Sequence, residues 1–212
     1  MSKVICFDVD GTLVENRSSW VLLNTGLGCP TDCLDEIYQK TESGQMPFAD
    51  GVKILEDMYI NSGKATETHI RGIFNQIPLK HDARETIAFA RAKGYKSYLI
   101  SGGIDIYVEE IAKKAGVDGY FAHAGFEFDD KGNFCRIKYN LSQTETKVLR
   151  IKQLSERYDV AENEIIYVGD GVNDVGAFKL TGHGVAVYPY DRVLENLAWK
   201  KIKELSELAE II

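Results

Sequence analysis

Clustered basic residues are missing from the sequence, in which 32 acidic side chains outnumber 25 lysine and arginine side chains and leave a formal net charge of −7. Proteins that bind nucleic acid or anionic membrane surfaces usually concentrate positive charge in such clusters. We therefore expect neither kind of partner. The same negative charge repels anionic substrates at long range, so a phosphorylated substrate would need local positive charge from a lysine, helix amino termini or a metal ion.

Long apolar runs are also missing. Residues 1–5 lack the apolar run of a signal peptide, and no stretch reaches the length of a membrane-spanning helix. These absences favour a cytoplasmic protein. Cysteine is scarce, and reduced structural thiols are expected, with a metal site at Cys29 and Cys33 as the alternative, although no second ligand pair follows them. The four cysteines are Cys6, Cys29, Cys33 and Cys135.

A short apolar run at residues 4–7 is followed at once by Asp8 and Asp10, and then by Gly11 and Thr12. The run predicts a buried strand that stops near the glycine. Side chains two residues apart on an extended backbone share a face, and two like charges about 4 Å apart repel by about 1 to 4 kcal/mol. The pair therefore needs a counterion, a shared proton or solvent. The alternative is an acidic turn that caps the strand.

The next segment, residues 15–78, has apolar side chains at helical spacing, with breaks near Gly26, Gly44 and Gly63. Three or four short helices are predicted there. A parallel crossover needs only about a dozen or more residues, so we expect a small helical cap inserted after the first strand and lying over its carboxyl end. The alternative is that these are ordinary helices of a single α/β domain. Residues 1–14 and 79–212 would form the core.

Helices and strands alternate over the rest of the chain. This order predicts an α/β fold with a doubly wound, mostly parallel, Rossmann-like sheet. A hairpin at residues 121–139 would form a flap or an edge of the sheet, and a capping-box pattern at Ser142 and Glu145 predicts a helix start. The last segment, up to residue 212, is expected to be an amphipathic helix. The other predicted helices cover residues 82–93 and 104–115, and the other strands cover residues 95–100, 164–168 and 184–187.

Polar side chains follow directly on three of the predicted strands. The carboxyl ends of parallel strands lie at one edge of a sheet, so residues far apart in sequence would converge there. Lys147 lies on the inward face of its predicted helix and could reach the same edge. The clusters are Asp8 with Asp10, Ser101 with Gly102 and Gly103, and Asp170 with Asn173 and Asp174.

These residue types fit phosphate chemistry with Mg²⁺. Carboxylate oxygens suit this ion, which leaves positions for a substrate phosphate, whereas zinc would favour histidine or cysteine ligands. A carboxylate can attack phosphorus to give an acyl phosphate. If Asp8 attacks, Asp10 is placed to protonate the departing alkoxide and later to take a proton from water. Lys147, Ser101 and nearby backbone amides would hold the phosphate.

The ordered set of these motifs resembles the haloacid dehalogenase superfamily of phosphohydrolases, over nearly the whole chain. The serine–glycine–glycine segment at residues 101–103 and the spacing of the cap resemble the phosphoserine phosphatase branch. Because the dehalogenases themselves lack the second aspartate of the first motif, Asp10 favours hydrolysis of a phosphate ester.

The resemblance also implies a role for each matched residue. Asp8 would be the nucleophile and a Mg²⁺ ligand, and Asp10 the acid/base, with its backbone carbonyl on the metal. Asp170 would be a further ligand, and Asp174 would support the metal site. The phosphate-binding residues would be Thr12, Ser101, Gly102, Lys147 and Asn173.

Two positions depart from the pattern of that branch. Phosphoserine phosphatases usually place a glutamate shortly after the first motif to receive the substrate amine, and Arg17 stands there. They also carry a cap arginine for the substrate carboxylate, where Leu55 stands. Glu15 and Lys53 are nearby, although neither is at the matching position. We therefore expect a small phosphorylated metabolite as substrate without assigning phosphoserine.

Other functions of the same residues remain possible interpretations of the sequence. A phosphotransferase or mutase would share the acyl-phosphate step and differ only in the acceptor. A receiver-type signalling domain would also accept phosphate on an aspartate, but such domains are shorter and lack a helical insertion after the first strand. Trp20 and the cap tyrosines are expected in the core. The histidines, expected at surface or structural positions, are His69, His81, His123 and His183.

Overall fold

A computed structural model of the protein describes residues 3–16, 18–139 and 143–212, and its central element is a β-sheet. Its strands are β1 (Lys3–Phe7), β2 (Tyr95–Ile104), β3 (Gly119–Phe128), β4 (Phe134–Lys138), β5 (Ile166–Gly169), β6 (Gly184–Val187) and β7 (Lys200–Ile202). They form one sheet in the order β4-β3-β2-β1-β5-β6-β7. Neighbouring strands are parallel except for β3 and β4. The predicted α/β fold with a mostly parallel sheet is confirmed.

Helices flank this sheet on both sides. Arg17 and Ser142, which carried two of the sequence predictions, lie outside the described residues. In the part of the chain that is described, no helix has both the length and the apolar character needed to cross a membrane. The helices are α1 (Ser19–Leu27), α2 (Asp32–Glu42), α3 (Phe48–Asn61), α4 (Glu67–Asn75), α5 (Ala83–Ala92), α6 (Asp105–Ala115), α7 (Gln143–Tyr158) and α8 (Val175–Thr181).

Strand β1 lies at the centre of the sheet, between β2 and β5, and apolar side chains cover both of its faces. Because successive side chains of a strand point to opposite faces, Ile5 and Phe7 enter one buried cluster and Val4 and Cys6 enter the other. All four cysteines are free thiols. The continuous apolar run at residues 4–7 is thus the pattern of a parallel strand buried on both sides.

The inserted segment after β1 forms helices α1 to α4, within the predicted number. Helix α3 packs against the β3–β4 hairpin, where the Tyr59 and Phe134 rings meet edge to face with centroids 5.7 Å apart. The backbone N–H of Ile137 in β4 donates a 2.8 Å hydrogen bond to Glu56 Oε1 of α3. The hairpin therefore forms the edge of the sheet and supports the inserted helices.

The prediction of an amphipathic helix at the end of the chain is wrong. Strand β7 adds to the sheet beside β6, with Ile202 opposite Val187, and a 3₁₀ helix follows at Leu205–Glu210. Leu205 and Leu208 are both fully buried. Their spacing of three residues fits one turn of a 3₁₀ helix as well as the face of an α-helix, so the apolar pattern did not separate the two. A smaller correction concerns β5, which begins at Ile166, after a 3₁₀ turn at Glu162–Glu164.

Candidate active site

The carboxyl ends of β1 and β5 bring three aspartates together. The backbone N–H of Asp8 donates a 2.8 Å hydrogen bond to the Val168 carbonyl, which holds the two strand ends side by side. Carboxylate oxygens of Asp8, Asp170 and Asp174 lie within 4.8 Å of one another, and all three residues are buried. The predicted convergence of the strand-end residues is therefore observed for this set.

Lys147, on α7, is the cation next to these carboxylates and is fully buried. Its Nζ lies 3.0 Å from Asp8 Oδ2 and 2.6 Å from Asp174 Oδ1. Burial alone would lower the pKa of Lys147, but the Asp174 and Asp8 carboxylates raise it well above its usual value, so the ammonium stays charged. Two buried carboxylates can share one site because this charge lies between them.

The pKa of Asp8 is raised well above its usual value. Burial is the largest cause, and the carboxylates of Asp174, Asp170 and Asp10 add to it, while Lys147 acts in the opposite direction. The single buried ammonium of Lys147 therefore does not offset all of the negative charge around Asp8. A further cation at this place would stabilise the ionised carboxylate.

Asp174 is held rigidly by four donors. Its Oδ1 accepts from Lys147 and from the Tyr167 hydroxyl at 2.8 Å, and its Oδ2 accepts from the backbone N–H groups of Asp170 at 3.0 Å and Gly171 at 2.9 Å. A carboxylate offers about four acceptor positions, so the described contacts occupy all of them. A Cβ at Gly169 would come 2.4 Å from Asp174 Oδ2, and the absence of a side chain there lets the carboxylate lie this close to the strand.

Gly11 and Thr12, which belong to the first motif, position the Asp170 carboxylate. The Thr12 hydroxyl donates a 3.1 Å hydrogen bond to Asp170 Oδ1. Gly11 has a φ of +74°, and a Cβ there would come 2.1 Å from Asp170 Oδ2. Gly11 is therefore needed both for the left-handed turn and for the close approach of the Asp170 carboxylate.

The side chain of Asp10 accepts hydrogen bonds from Tyr107 and Ser19 rather than from Lys147. Its Oδ1 accepts a 2.7 Å hydrogen bond from the Tyr107 hydroxyl of α6, and its Oδ2 accepts a 3.2 Å bond from the backbone N–H of Ser19. Burial raises the pKa of Asp10 to about 6, and these two hydrogen bonds act against that rise. A carboxyl group with such a pKa can donate and accept a proton near neutral pH.

The predicted site residues divide into two groups. Asp8, Asp10, Gly102, Asp170 and Asn173 line one cavity of about 450 Å³. Behind that wall, Thr12, Lys147 and Asp174 are fully buried, and Ser101 is 1% exposed with its Oγ accepting a 3.0 Å hydrogen bond from the Gly103 N–H. Thr12, Lys147 and Asp174 of the second group contact Asp8 or Asp170 and so hold these two residues in place.

Most of the remaining cavity wall comes from the inserted helices and the hairpin, with Gly171, Val172 and Asp191 adding to it. Leu55 of α3 and Ile137 of β4 form part of it, and Trp20, which is half-buried and packs against the core as expected, also lies on it. Glu15 and Lys53 are both exposed, and Lys53 pairs with Asp57 on the surface of α3. The apolar and aromatic lining residues are Trp20, Val21, Leu34, Ile37, Tyr38, Phe48, Val52, Leu55, Ala124, Ile137, Tyr139 and Val172.

Three functional positions were missed by sequence reasoning. Tyr107 and Tyr167 bond the two aspartates Asp10 and Asp174, and His123 lines the cavity beside Phe48. Both tyrosines lie in apolar segments, where an aromatic residue is predicted to be part of the hydrophobic core. The only available signal was their closeness in sequence to Ser101 and Asp170.

Comparisons with known proteins point to one family and one fold. A family model described as haloacid dehalogenase-like hydrolase matches residues 2–182. A curated phosphoserine phosphatase of Lactococcus lactis is 29% identical over 184 residues, which cover 86% of this chain and 82% of the relative. A phosphoserine phosphatase of Methanocaldococcus jannaschii is 26% identical over 191 residues, with coverages of 87% and 84%. A solved substrate-bound phosphoserine phosphatase complex has the same fold, with a TM-score of 0.81 at 23% identity, over 100% of this chain and 99% of that one.

Proposed function

Because the chain belongs to the haloacid dehalogenase-like hydrolases, we propose that it hydrolyses a small phosphomonoester through an aspartyl phosphate on Asp8. Family and curated relatives together identify a phosphoric monoester hydrolase. The observation that carries the proposal is the position of Asp8, which faces the cavity while Lys147 binds its Oδ2 at 3.0 Å. One carboxylate is thereby held in a fixed orientation at the wall of a substrate-sized space.

The first step transfers the phosphoryl group to Asp8. A carboxylate oxygen of Asp8 forms a bond to phosphorus while the ester P–O bond breaks. Asp10 gives its proton to the departing alkoxide oxygen, a task for which its pKa of about 6, raised by burial, is suited. Tyr107 and the Ser19 N–H hold the Asp10 carboxyl for this transfer.

The second step returns the enzyme to its starting state. Water attacks the phosphorus of the acyl phosphate, and Asp10, now ionised, accepts the proton of that water. The bond between phosphorus and Asp8 breaks, releasing inorganic phosphate. Lys147 keeps the freed carboxylate in place, and since its Nζ pairs with Asp8 and Asp174 alone among the described carboxylates, we assign its third N–H to a phosphoryl oxygen. Gly102 and Asn173, on the cavity wall, offer further donors.

The carboxylate cluster fits Mg²⁺, because it offers hard oxygen ligands close together. Asp8, Asp170 and the backbone carbonyl of Asp10 would hold the ion, which supplies positive charge against the phosphoryl oxygens. Asp174 was expected to support the metal site. Because its acceptor positions are taken by Lys147, Tyr167 and two backbone N–H groups, we assign it to positioning Lys147. Thr12 likewise acts through Asp170.

We propose that residues 15–78 act as a cap over this edge of the sheet. Side chains of α1, α2 and α3 on the cavity wall support that division. These helices also argue against a receiver-type signalling domain, which has no insertion after its first strand. The cytoplasmic location and the lack of nucleic-acid partners stay predictions from the sequence.

The test is release of phosphate from an unspecific aryl phosphate. We expect release with Mg²⁺ and none with EDTA, and loss of activity in Asp8→Asn. Asp130→Asn, at an exposed position in the hairpin turn, is the control and should match the wild type. Full activity in Asp8→Asn would contradict the assignment of Asp8 as the nucleophile. Aryl alcohol released in excess of phosphate, when another alcohol is added, would identify a phosphotransferase instead.

A further inference from the structure

We infer that the substrate carries an uncharged, apolar organic group, which fills the part of the cavity between helices α1–α3 and the β3–β4 hairpin. The inference rests on the proposed phosphatase function and narrows its substrate class. The cavity of about 450 Å³ includes Asp8, Asp10 and Asp170 at one end. It lies within the range of small-molecule sites, and the phosphoryl group would occupy only the end with the aspartates.

The walls beyond that end are mainly hydrocarbon and aromatic, and their polar side chains include Ser18, Thr41 and His123. Leu55 is 7% exposed and Ile137 is 6% exposed, and both face the cavity. The Phe48 and Tyr139 rings pack against each other at a tilt of 53°, with ring centroids 4.4 Å apart. Trp20 adds a further ring on the wall. A substrate group that covers these side chains removes apolar surface from water, whereas a charged group would lose part of its hydration against the same surface.

The charges on the wall act against an acidic substrate group. The charged side chains among the described lining residues are all carboxylates, including the exposed Asp35 and Asp191. They would repel a substrate carboxylate. His123 supplies no compensating charge near neutral pH, because burial, with the Lys147 ammonium, lowers its pKa to about 4. An amino-acid phosphate would therefore bring a carboxylate to a wall that repels it.

A series of straight-chain alkyl phosphates from methyl to hexyl tests the inference without relying on a variant. These esters share a similar leaving group, so differences in kcat/KM report contacts with the carbon chain. We expect kcat/KM to rise by roughly two- to fourfold for each methylene. Phosphoserine has three carbons like propyl phosphate, but its terminal carbon is a carboxylate and its middle carbon bears an amine, and we expect it to be hydrolysed at least tenfold less efficiently than propyl phosphate.

Three results are distinguishable in that assay. A rising series with propyl phosphate above phosphoserine supports the inference. A flat or falling series, or a preference for phosphoserine or phosphocholine, overturns it and leaves the proposed phosphatase function intact. No phosphate release from any ester, with Mg²⁺ present, overturns the proposed function and the inference with it.

Variants of α3 then locate the apolar contact. Leu55→Asn should flatten the alkyl series, because its side chain faces the cavity. Val52→Asn, at a half-buried lining position, is the second variant if Leu55→Asn does not fold. The matched control is Ile54→Asn, whose side chain is exposed on the same helix. An unchanged slope in a folded Val52→Asn or Leu55→Asn would contradict the assignment of this wall.

Discussion

The hydroxyl of Tyr107 donates a 2.7 Å hydrogen bond to Oδ1 of Asp10. Tyr107 is fully buried on α6, the helix that follows the strand bearing Ser101, whereas Asp10 follows the central strand. The bond therefore joins two motifs far apart in sequence. It holds the carboxyl group that, in the proposed mechanism, gives a proton to the leaving alkoxide.

Removal of this bond should impair proton donation. In Tyr107→Phe we expect kcat for an alkyl phosphate to fall about tenfold or more, since a hydrogen bond to a charged group contributes about 1.5–3 kcal/mol. The loss should be smaller for p-nitrophenyl phosphate, because nitrophenolate leaves without needing a proton. The measurement is the ratio of the two kcat values. Tyr98→Phe is the control, since the Tyr98 hydroxyl bonds Tyr158 in the other buried cluster.

An equal loss for both substrates would mean that Tyr107 has only a structural role. An unchanged kcat for the alkyl phosphate would mean that Asp10 needs no help in its orientation, and would contradict the role given to Tyr107.

Gly11 offers a test of how closely Asp170 must approach the first motif. Gly11→Ala should lower Mg²⁺ affinity and activity by about 10- to 100-fold, as loss of support for a metal ligand typically does, because its Cβ would come 2.1 Å from Asp170 Oδ2. Gly94→Ala is the matched control. Gly94 also has positive φ, +87°, but nothing lies within 4 Å of its Cβ position.

Both alanine variants should lose about 1 kcal/mol or somewhat more of stability through the left-handed backbone. Only Gly11→Ala should need more Mg²⁺ for half-maximal activity. If the two variants show the same Mg²⁺ dependence, then the contact between Gly11 and Asp170 does not matter for the metal.

His123 should make the stability depend on pH. Its pKa is about 4 in the folded protein, because of burial and the Lys147 ammonium, against about 6.5 in an unfolded chain. Below pH 6.5 the unfolded state takes up a proton that the folded state does not, so the free energy of unfolding falls as the pH drops toward 4. We expect His123→Gln to remove up to about 1.4 kcal/mol per pH unit of that slope. His69→Gln, at an exposed position on α4, is the control, and parallel curves for wild type and His123→Gln would refute the argument.

Much of the site was predictable because its parts follow strands. The apolar runs before Asp8 and Asp170 locate the strands, and the parallel order brings their ends to one edge of the sheet. Lys147 was predictable from helical spacing, since it lies four residues before Ile151 on the buried face of α7. Periodicity and chain order therefore carry the information about the charged centre.

Other parts depend on contacts that one sequence does not encode locally. Tyr107 and Tyr167 look like core residues, and only the packed structure shows which acceptor each hydroxyl reaches. Strand β7 is short and forms beside β6, so pairing overrides the helical spacing of the apolar residues around it. Trp20 packs against the core and also reaches the cavity, and only the packing of α1 shows the second contact.

The most direct test of the account is the site of phosphorylation during turnover. The enzyme would be mixed with a labelled aryl phosphate and Mg²⁺, quenched in acid within milliseconds and digested with trypsin. Cleavage after Lys3 and Arg17 yields peptide 4–17, which contains both Asp8 and Asp10, and fragmentation by mass spectrometry separates the two. We expect a hydroxylamine-sensitive phosphate on Asp8, and none in Asp8→Asn. Label on another residue, or continued turnover by Asp8→Asn, would contradict the account.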